Sequence, residues 1–331
     1  MIFENFFEEL SSLHLGTEPN RAYFIPCGDA GEALDGFRES SSRFILLNGD
    51  WKFKYFPSVR AVVEDYADRE CEDFDTLPVP SVWQAYGYDR HQYTNIRYPF
   101  PYDPPYLPLD NPCGIYRTEF SVSDLGSRYY LNFEGVDSCL YVWVNGSFVG
   151  YSEVSHSTSE FEITRFLAEE NNTLTVLVLK WCSGSYLEDQ DKLRMSGIFR
   201  DVYLLRRPQE HLRDLTVKTV LENNYTKGVL NVTFESTGLL PVNWTLLGPE
   251  GEKLDEGKAE GETGNFSAHV DSPALWNAEH PNLYTLLLHA GEEYIAQKVG
   301  FREVKAENGV LLVNGRPVTF RGVNRHDSDP V

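Results

Sequence analysis

The stretch that decides the fold is WCSGSYLEDQDKLRMSGIFRDV, residues 181–202. A run typical of a β-strand, residues 174–180, leads into it, and a second run, residues 202–205, leads out. The loop between them carries three neighbouring carboxylates, Glu188, Asp189 and Asp191. Long loops on β scaffolds are costly to order and often carry function. Because this loop is also rich in aromatic and aliphatic residues, we expect it to be held against the protein with its polar groups directed at a ligand.

The sequence on both sides of this loop predicts two β domains. Residues 43–208 carry the following predicted strands: 51–56, in which apolar and polar residues alternate, and 129–133, 141–144, 148–151 and 174–179. Asn145-Gly146 is the strongest hairpin signal in the chain. Many short strands with a few long loops predict a jelly-roll sandwich. Residues 209–303 carry further predicted strands, at 215–220, 229–234, 244–247 and 283–288, which fit an immunoglobulin-like sandwich.

The two ends of the chain differ from these domains. Residues 1–42 are a predicted arm, in which Phe3, Phe6, Phe7 and Leu10 have the spacing of a short amphipathic helix. In residues 304–331, two apolar runs, 310–313 and 318–320, flank Asn314-Gly315-Arg316-Pro317 and predict a hairpin. The second run leads into a polar segment, so we expect this stretch to belong to a further domain.

Charge and cysteine usage limit the classes of partner. The formal net charge of −21 argues against nucleic acid or an anionic membrane as the ligand, since both need a positive face. The five cysteines are odd in number and scattered, with no C-x-x-C spacing: Cys27, Cys71, Cys113, Cys139 and Cys182. A disulfide framework or a zinc site is therefore not expected, and a cytoplasmic location is.

Four separated motifs carry a resemblance to family 2 glycoside hydrolases, and in particular to β-galactosidases. They are the loop at 181–202, PSVWQ at 80–84, YTNIRYP at 93–99 and RGVNRH at 321–326. The resemblance runs from about Leu46 to the last residue. It implies a jelly-roll domain of the sugar-binding type at 43–208, an immunoglobulin-like spacer at 209–303 and, from 304 on, the first strand of a truncated (β/α)₈ barrel.

The resemblance also implies an activity. The expected reaction is the retaining hydrolysis of terminal β-D-galactosides such as lactose, which needs a pair of carboxylates. In the family both are glutamates on later barrel strands, so this chain is predicted to be a truncation or one part of a split enzyme, and inactive by itself. The resemblance further implies a homo-oligomer, and a Mg²⁺ ion whose ligands are not in this chain.

Asp191 is the first candidate site residue. A carboxylate accepts two hydrogen bonds from sugar hydroxyls, and hard cations prefer oxygen ligands. In the resembling family the residue matching Asp191 binds the sugar and ligates Na⁺. Without the motif, a surface ion pair with Lys192 or Arg194 is the simpler interpretation. Glu188 and Asp189 are expected to shape the loop.

Asn95 and His326 are the other two candidates. The Asn95 amide offers a donor and an acceptor to a sugar hydroxyl, and its family counterpart reaches the active site; an Asx turn is the alternative. His326 follows a predicted barrel strand, where barrel active sites form. Its family counterpart stabilises the transition state through a sugar hydroxyl. The alternative is a loop histidine paired with Asp327 or Asp329.

Two tryptophans could stack on a sugar ring. Trp143 lies inside a strand pattern and is expected in the core, whereas Trp83 is left open. Two other functions remain open as well: a non-catalytic carbohydrate-binding or assembly module, and a family 2 β-glucuronidase or β-mannosidase. Asn95 and the Tyr-Leu-Glu-Asp-Gln-Asp segment of the loop favour a galactosidase.

Overall fold

The computed structural model describes residues 4–62, 66, 73–94, 99–188 and 192–324. The described residues divide into two compact units. The first contains residues 4–20 and 45–206, and the second contains residues 21–44 and 207–324. Both consist mainly of β-strands, which confirms the predicted fold class of two successive β domains. The barrel strand expected after residue 304 stays a prediction.

The first unit contains fifteen labelled strands among the described residues. They are β1 (His14–Leu15), β2 (Phe44–Leu46), β3 (Gly49–Phe56), β4 (Asp75–Val79), β5 (Gln92–Thr94), β6 (Cys113–Phe120), β7 (Arg128–Phe133), β8 (Val136–Asp137), β9 (Cys139–Val144), β10 (Ser147–Ser152), β11 (Ser159–Glu162), β12 (Asn172–Leu179), β13 (Lys192–Arg194), β14 (Gly197–Ile198) and β15 (Val202–Arg207). Five short 3₁₀ helices accompany them: Phe6–Glu8, Val59–Ala61, Trp83–Tyr86, Thr164–Phe166 and Ser183–Tyr186.

Two sheets form the sandwich of the first unit. One has seven strands in the order β1-β10-β9-β12-β6-β3-β4, and the other has four in the order β11-β7-β15-β2. Side chains from both sheets share one buried cluster. The larger sheet is also covered on its other face, by a second cluster that includes Phe7, Phe100 and Trp181. Because both faces of β12 are buried, its sequence is an almost continuous apolar run rather than an alternating one.

The predicted Asn145-Gly146 hairpin is confirmed. It joins β9 to β10, and its two central residues have φ values of 51° and 74°. Positive φ at both positions is what a type I′ turn requires, and Asn and Gly tolerate it best.

The second unit is built around two very long strands. Its elements are the helix α1 (Ala30–Asp35), the 3₁₀ helix Arg38–Ser40, β16 (Leu212–Glu222), β17 (Lys227–Leu247), β18 (Lys253–Asp271), β19 (Tyr284–Ala290), β20 (Glu293–Val299), β21 (Val304–Glu307), β22 (Val310–Val313) and β23 (Arg316–Pro317). The first part of β17 pairs with β16, and its last part pairs with β19. β18 runs beside β17 along both parts.

The predicted arm is divided between the two units. Residues 21–44 belong to the second unit, where Phe24 enters the core and the backbone of Cys27 pairs with that of Tyr294. The core of this unit also holds an ion pair between Arg207 and Glu293, in which Arg207 Nε lies 3.0 Å from Glu293 Oε1.

Two terminal predictions need correction. Of the amphipathic helix predicted near the start, Phe3 lies outside the described residues, and the described part forms a single 3₁₀ turn, Phe6–Glu8, with Leu10 64% exposed instead of lying on a buried face. The final hairpin turns at Asn314-Gly315, with φ values of 49° and 71°, so the return strand is β23 and not residues 318–320. The two-residue turn places the return strand earlier than the four-residue turn that we predicted.

Candidate functional site

A short two-stranded ribbon joins two of the motifs singled out in the sequence. β5 and β13 pair antiparallel, with Thr94 opposite Lys192, Tyr93 opposite Leu193 and Gln92 opposite Arg194. Asn95 and Asp191 lie outside the described residues. In the sequence Asn95 directly follows Thr94, and Asp191 directly precedes Lys192. Each candidate is thus attached by one peptide bond to a member of the same cross-strand pair.

His326 also lies outside the described residues, as does Asp189. Glu188 is described, and its carboxylate accepts hydrogen bonds from Ser155 N at 3.0 Å and from Ser155 Oγ at 2.6 Å. This carboxylate therefore fastens the loop to its own scaffold, as predicted for a residue that shapes the loop.

A second carboxylate, which the sequence analysis did not single out, lies beneath the same loop. Glu153 is 2% exposed and accepts hydrogen bonds from Tyr151 Oη at 2.6 Å, Ser183 Oγ at 2.9 Å and Gly184 N at 2.9 Å. Burial raises the pKa of the Glu153 carboxyl, although these hydrogen bonds act in the opposite direction.

The entrance to the loop is fixed by a buried amide. Asn111 Nδ2 donates to Trp181 O at 2.8 Å, and Trp181 N donates to Asn111 Oδ1 at 3.0 Å. The Asn111 side chain thus takes the place of a neighbouring strand at the point where β12 has ended. One residue earlier, Lys180 N donates to Pro112 O at 2.9 Å.

Buried polar pairs connect the loop to residues 83–90. Lys180 forms an ion pair with Asp89, and both side chains are largely buried. Gln84 and Ser196 exchange two hydrogen bonds, of 3.1 Å from Gln84 Nε2 to Ser196 Oγ and 2.9 Å from Ser196 N to Gln84 Oε1. The Lys180–Asp89 and Gln84–Ser196 pairs hold the segment that precedes β5 and the segment that follows β13. Both strands of the ribbon are therefore anchored by buried polar contacts.

The proline-rich segment, residues 99–112, packs on the loop. Tyr186 Oη donates to Tyr106 O at 2.6 Å and accepts a hydrogen bond from Asp103 N at 3.3 Å. The Phe100 ring meets Trp181 and Tyr186 edge to face, at centroid distances of 5.1 and 5.3 Å. The proline-rich segment is therefore held in place by Trp181 and Tyr186, two aromatic residues of the stretch at 181–202.

Trp143 differs from the expectation, and packing decides the case of Trp83, which the sequence left open. Trp83 is fully buried in the core of the sandwich, so it is not available to stack on a sugar. Trp143, expected in the core, is only partly buried, and its ring stacks on Tyr141 at 6.0 Å. The ring of Phe148, which packs against Trp143, is exposed to solvent.

The described residues do not form a recognisable metal site. Among the described residues, no group of three or more His, Cys, Asp or Glu side chains could hold a metal ion. The Na⁺ prediction concerns Asp191, which lies outside the described residues, and it stays a prediction. In the part of the chain that the structure describes, no helix has the length and apolar character needed to cross a membrane.

Two family models match this chain. The one described as glycosyl hydrolases family 2, sugar binding domain, matches residues 44–208, and the one described as glycosyl hydrolases family 2 matches residues 210–302. The chain is 49% identical over 331 residues to a β-galactosidase of Actinobacillus pleuropneumoniae and 44% identical over 335 residues to one of Staphylococcus xylosus. These alignments cover 100% of this chain but only 32% and 33% of the relatives. The chain thus spans about a third of the length of the curated relatives it matches.

Solved structures with a similar fold include two β-glucuronidases. One from an uncultured Clostridium species has a TM-score of 0.67 and 20% identity, covering 84% of this chain and 48% of that one. Another, from Bifidobacterium dentium in complex with coumarin-3-O-glucuronide, has a TM-score of 0.66 and 17% identity, covering 83% and 50%. At such identity the similarity shows the fold alone. With both β domains matched by family models and the whole chain aligned to relatives, this chain belongs to glycosyl hydrolase family 2.

Proposed function

We propose that this chain is the part of a retaining β-galactosidase that supplies galactose-binding residues to an active site completed by further polypeptide. The β5–β13 register carries the proposal, because it pairs the residues next to Asn95 and Asp191. The name of the relatives at 44% and 49% identity supports the substrate class. The side chains of Asn111 and Glu188 hold the loop by hydrogen bonds, and this supports the loop as the base of such a site.

In this proposal the chain binds and orients the sugar. The Asp191 carboxylate accepts hydrogen bonds from two hydroxyls, and the Asn95 amide donates one and accepts one. Asp191 also offers an oxygen ligand to Na⁺, which would add a positive charge near those hydroxyls. His326 donates to a hydroxyl whose hydrogen bond strengthens as positive charge develops on the ring. The two catalytic glutamates and the Mg²⁺ ligands are supplied by the remainder of the enzyme.

A self-sufficient binding module fits the structure less well. Phe320 is 81% exposed and Val323 is 91% exposed, close together in the segment after β23. Large apolar side chains so close in sequence and so exposed favour an extended segment that other polypeptide covers. This supports a following catalytic domain, of which residues 304–331 are the proposed start, over the alternative of a module that acts without one.

A fusion protein tests the proposal. The 331 residues replace the matching first third of the Actinobacillus pleuropneumoniae β-galactosidase, and hydrolysis of nitrophenyl β-galactoside is measured with and without Na⁺. We expect turnover by the fusion and none by the relative that lacks its first third. Asp191→Asn should raise KM and the Na⁺ concentration for half-maximal rate by about 10-fold or more, and Asn95→Ala should raise KM. Asp50→Asn, at an exposed acidic residue of β3, is the matched control.

Two outcomes would contradict the proposal. A fusion that melts like the parent enzyme but does not hydrolyse galactosides would show that this chain does not complete a galactosidase. A fully active fusion in which Asp191→Asn and Asn95→Ala change neither KM nor the Na⁺ dependence would show that the two residues do not bind the sugar.

A further inference from the structure

The buried Glu153 carboxylate belongs to a closed ring of hydrogen bonds under the decisive loop. Gly184 N donates to Glu153 Oε2 at 2.9 Å, and Gly184 O accepts from Glu188 N at 3.0 Å. The Glu188 carboxylate in turn accepts from Ser155 N and Oγ. Ser155 is two residues after Glu153, so the ring returns to its starting segment. Glu188 stands three residues before Asp191 in the sequence.

We propose that Glu153 is a positioning residue for the sugar-binding loop: it fixes the turn at Ser183–Tyr186, and through Gly184 and Glu188 it fixes the chain that leads to Asp191. The identity of the ligand in this inference rests on the proposed function, whereas the positioning itself does not.

The environment of Glu153 fits a role in geometry better than one in overall stability. Removing a carboxylate from water is costly, and only good hydrogen bonds offset that cost. Glu153 has three donors, from Tyr151, Ser183 and Gly184, but among the described residues no Lys or Arg forms an ion pair with it. A glutamine at this position would avoid the cost, but its single acceptor oxygen has two lone pairs and could not serve Tyr151, Ser183 and Gly184 together.

The turn that Glu153 holds has few other supports at its start. Gly184 is the second residue of a 3₁₀ helix, where backbone N–H groups lack partners within the helix. Glu153 supplies the acceptor for Gly184 N, and Ser185 Oγ supplies one for Cys182 N at 3.0 Å. A Cβ on Gly184 would lie 3.1 Å from Glu153 Oε2, so the carboxylate fits closely against the turn.

The far end of the turn transmits the same constraint to the proline-rich segment. Tyr186, the last residue of the 3₁₀ helix, bonds to the backbone of Tyr106 and Asp103. A shift of the turn would therefore move both the chain toward Asp191 and the segment that follows Asn95. Displacements of about 1 Å in such supports can cost about 10²-fold in activity.

Hydrogen–deuterium exchange on the 331-residue chain tests the positioning directly. In Glu153→Gln, one acceptor oxygen is replaced by a donor that faces Gly184 N or Ser183 Oγ. We expect exchange at residues 184–188 to become about 10-fold faster or more, the factor that corresponds to one lost hydrogen bond, while β9 and β12 stay unchanged. Glu153→Asp keeps the charge and should exchange at an intermediate rate; it also serves if the glutamine variant does not fold. Glu293→Gln, at a buried carboxylate of the second unit, is the matched control and should leave residues 184–188 unchanged.

Kinetics of the fusion protein separate positioning from stability. We expect Glu153→Gln to raise KM and the Na⁺ requirement by about 10-fold, with Glu153→Asp restoring part of the loss and Glu293→Gln changing neither. Unchanged exchange at residues 184–188 would overturn the inference. So would faster exchange throughout the first unit with unchanged KM, because it would make Glu153 a stabilising residue only. An inactive unsubstituted fusion speaks against the proposed function and leaves the exchange result to decide on Glu153.

Discussion

Gly197 shows how tightly a single residue of the decisive stretch is constrained. Its φ is 130°, and an added Cβ would lie 2.7 Å from Tyr116 Oη and 2.9 Å from Ser81 O. We expect Gly197→Ala to lower the free energy of unfolding by about 3 kcal/mol, from backbone strain plus overpacking. Gly87→Ala is the control, because Gly87 has a φ of 87° but open space around it, so its cost should be about 1 kcal/mol. Urea unfolding measures both; equal losses would refute the steric clash.

The raised pKa of Glu153 predicts a pH dependence of stability. A carboxyl whose pKa is higher in the folded than in the unfolded state stabilises the fold below the unfolded pKa, and this contribution is lost as the pH rises through the folded pKa. A glutamine at this position does not titrate. The difference in unfolding free energy between Glu153→Gln and the wild type should therefore shift in favour of the variant as the pH rises above 4.5. Urea unfolding over a pH series measures it, and a constant difference would show that the pKa is not raised.

Single residues were predictable only where their partners are close in sequence or belong to a motif. Glu188 could be assigned to loop shaping because it lies within the decisive stretch. Glu153 could not, since Ser183 and Gly184 are 30 and 31 residues away and the residues before it look like an ordinary strand. Trp83 was left open because an aromatic residue in a motif can be either core or ligand contact, and only packing decides between them.

At the scale of elements, the junction between β12 and the loop depends on Asn111. Replacing it by alanine leaves Trp181 N and Trp181 O buried without their partner. At about 1–3 kcal/mol for each such group, we expect Asn111→Ala to cost about 3 kcal/mol and to speed amide exchange at Trp181. Asn132 is equally buried and its amide nitrogen donates to Tyr130 O, so Asn132→Ala should leave exchange at Trp181 unchanged. Unchanged exchange in Asn111→Ala would mean that the loop entrance is held by other contacts.

Elements with strong local signals were predicted, and elements set by distant pairing were not. The Asn145-Gly146 hairpin follows from turn chemistry, and β12 from its apolar run. β17 was predicted as two separate strands, at 229–234 and 244–247, with the residues between them as a link. The structure continues the strand through a shift in register between Glu235 and Leu240, which neighbouring β18 accommodates. Such irregularities depend on the partner strand, so local patterns do not contain them.

At the scale of the whole molecule, the arm could not be assigned from its own sequence. Residues 21–44 are counted with the second unit because Phe24 enters its core and Ala22 N donates to Asp214 Oδ1 at 2.7 Å. These partners lie about two hundred residues later in the chain. A segment that completes a domain from so far away has no local pattern to reveal its destination.

At the scale of the whole molecule we also predict that the chain by itself has no galactosidase activity. Retaining hydrolysis needs two carboxyl groups about 5 Å apart across the scissile bond. Three described carboxylates that hold the loop and its entrance already have partners: Glu153 and Glu188 bind the loop, and Asp89 binds Lys180. We therefore expect no turnover of nitrophenyl β-galactoside by the purified 331 residues, with the active fusion at equal concentration as the positive control. Turnover that needs Na⁺ and disappears in Asp191→Asn would place the catalytic pair within this chain, and the division of labour between binding and catalysis proposed above would then be wrong.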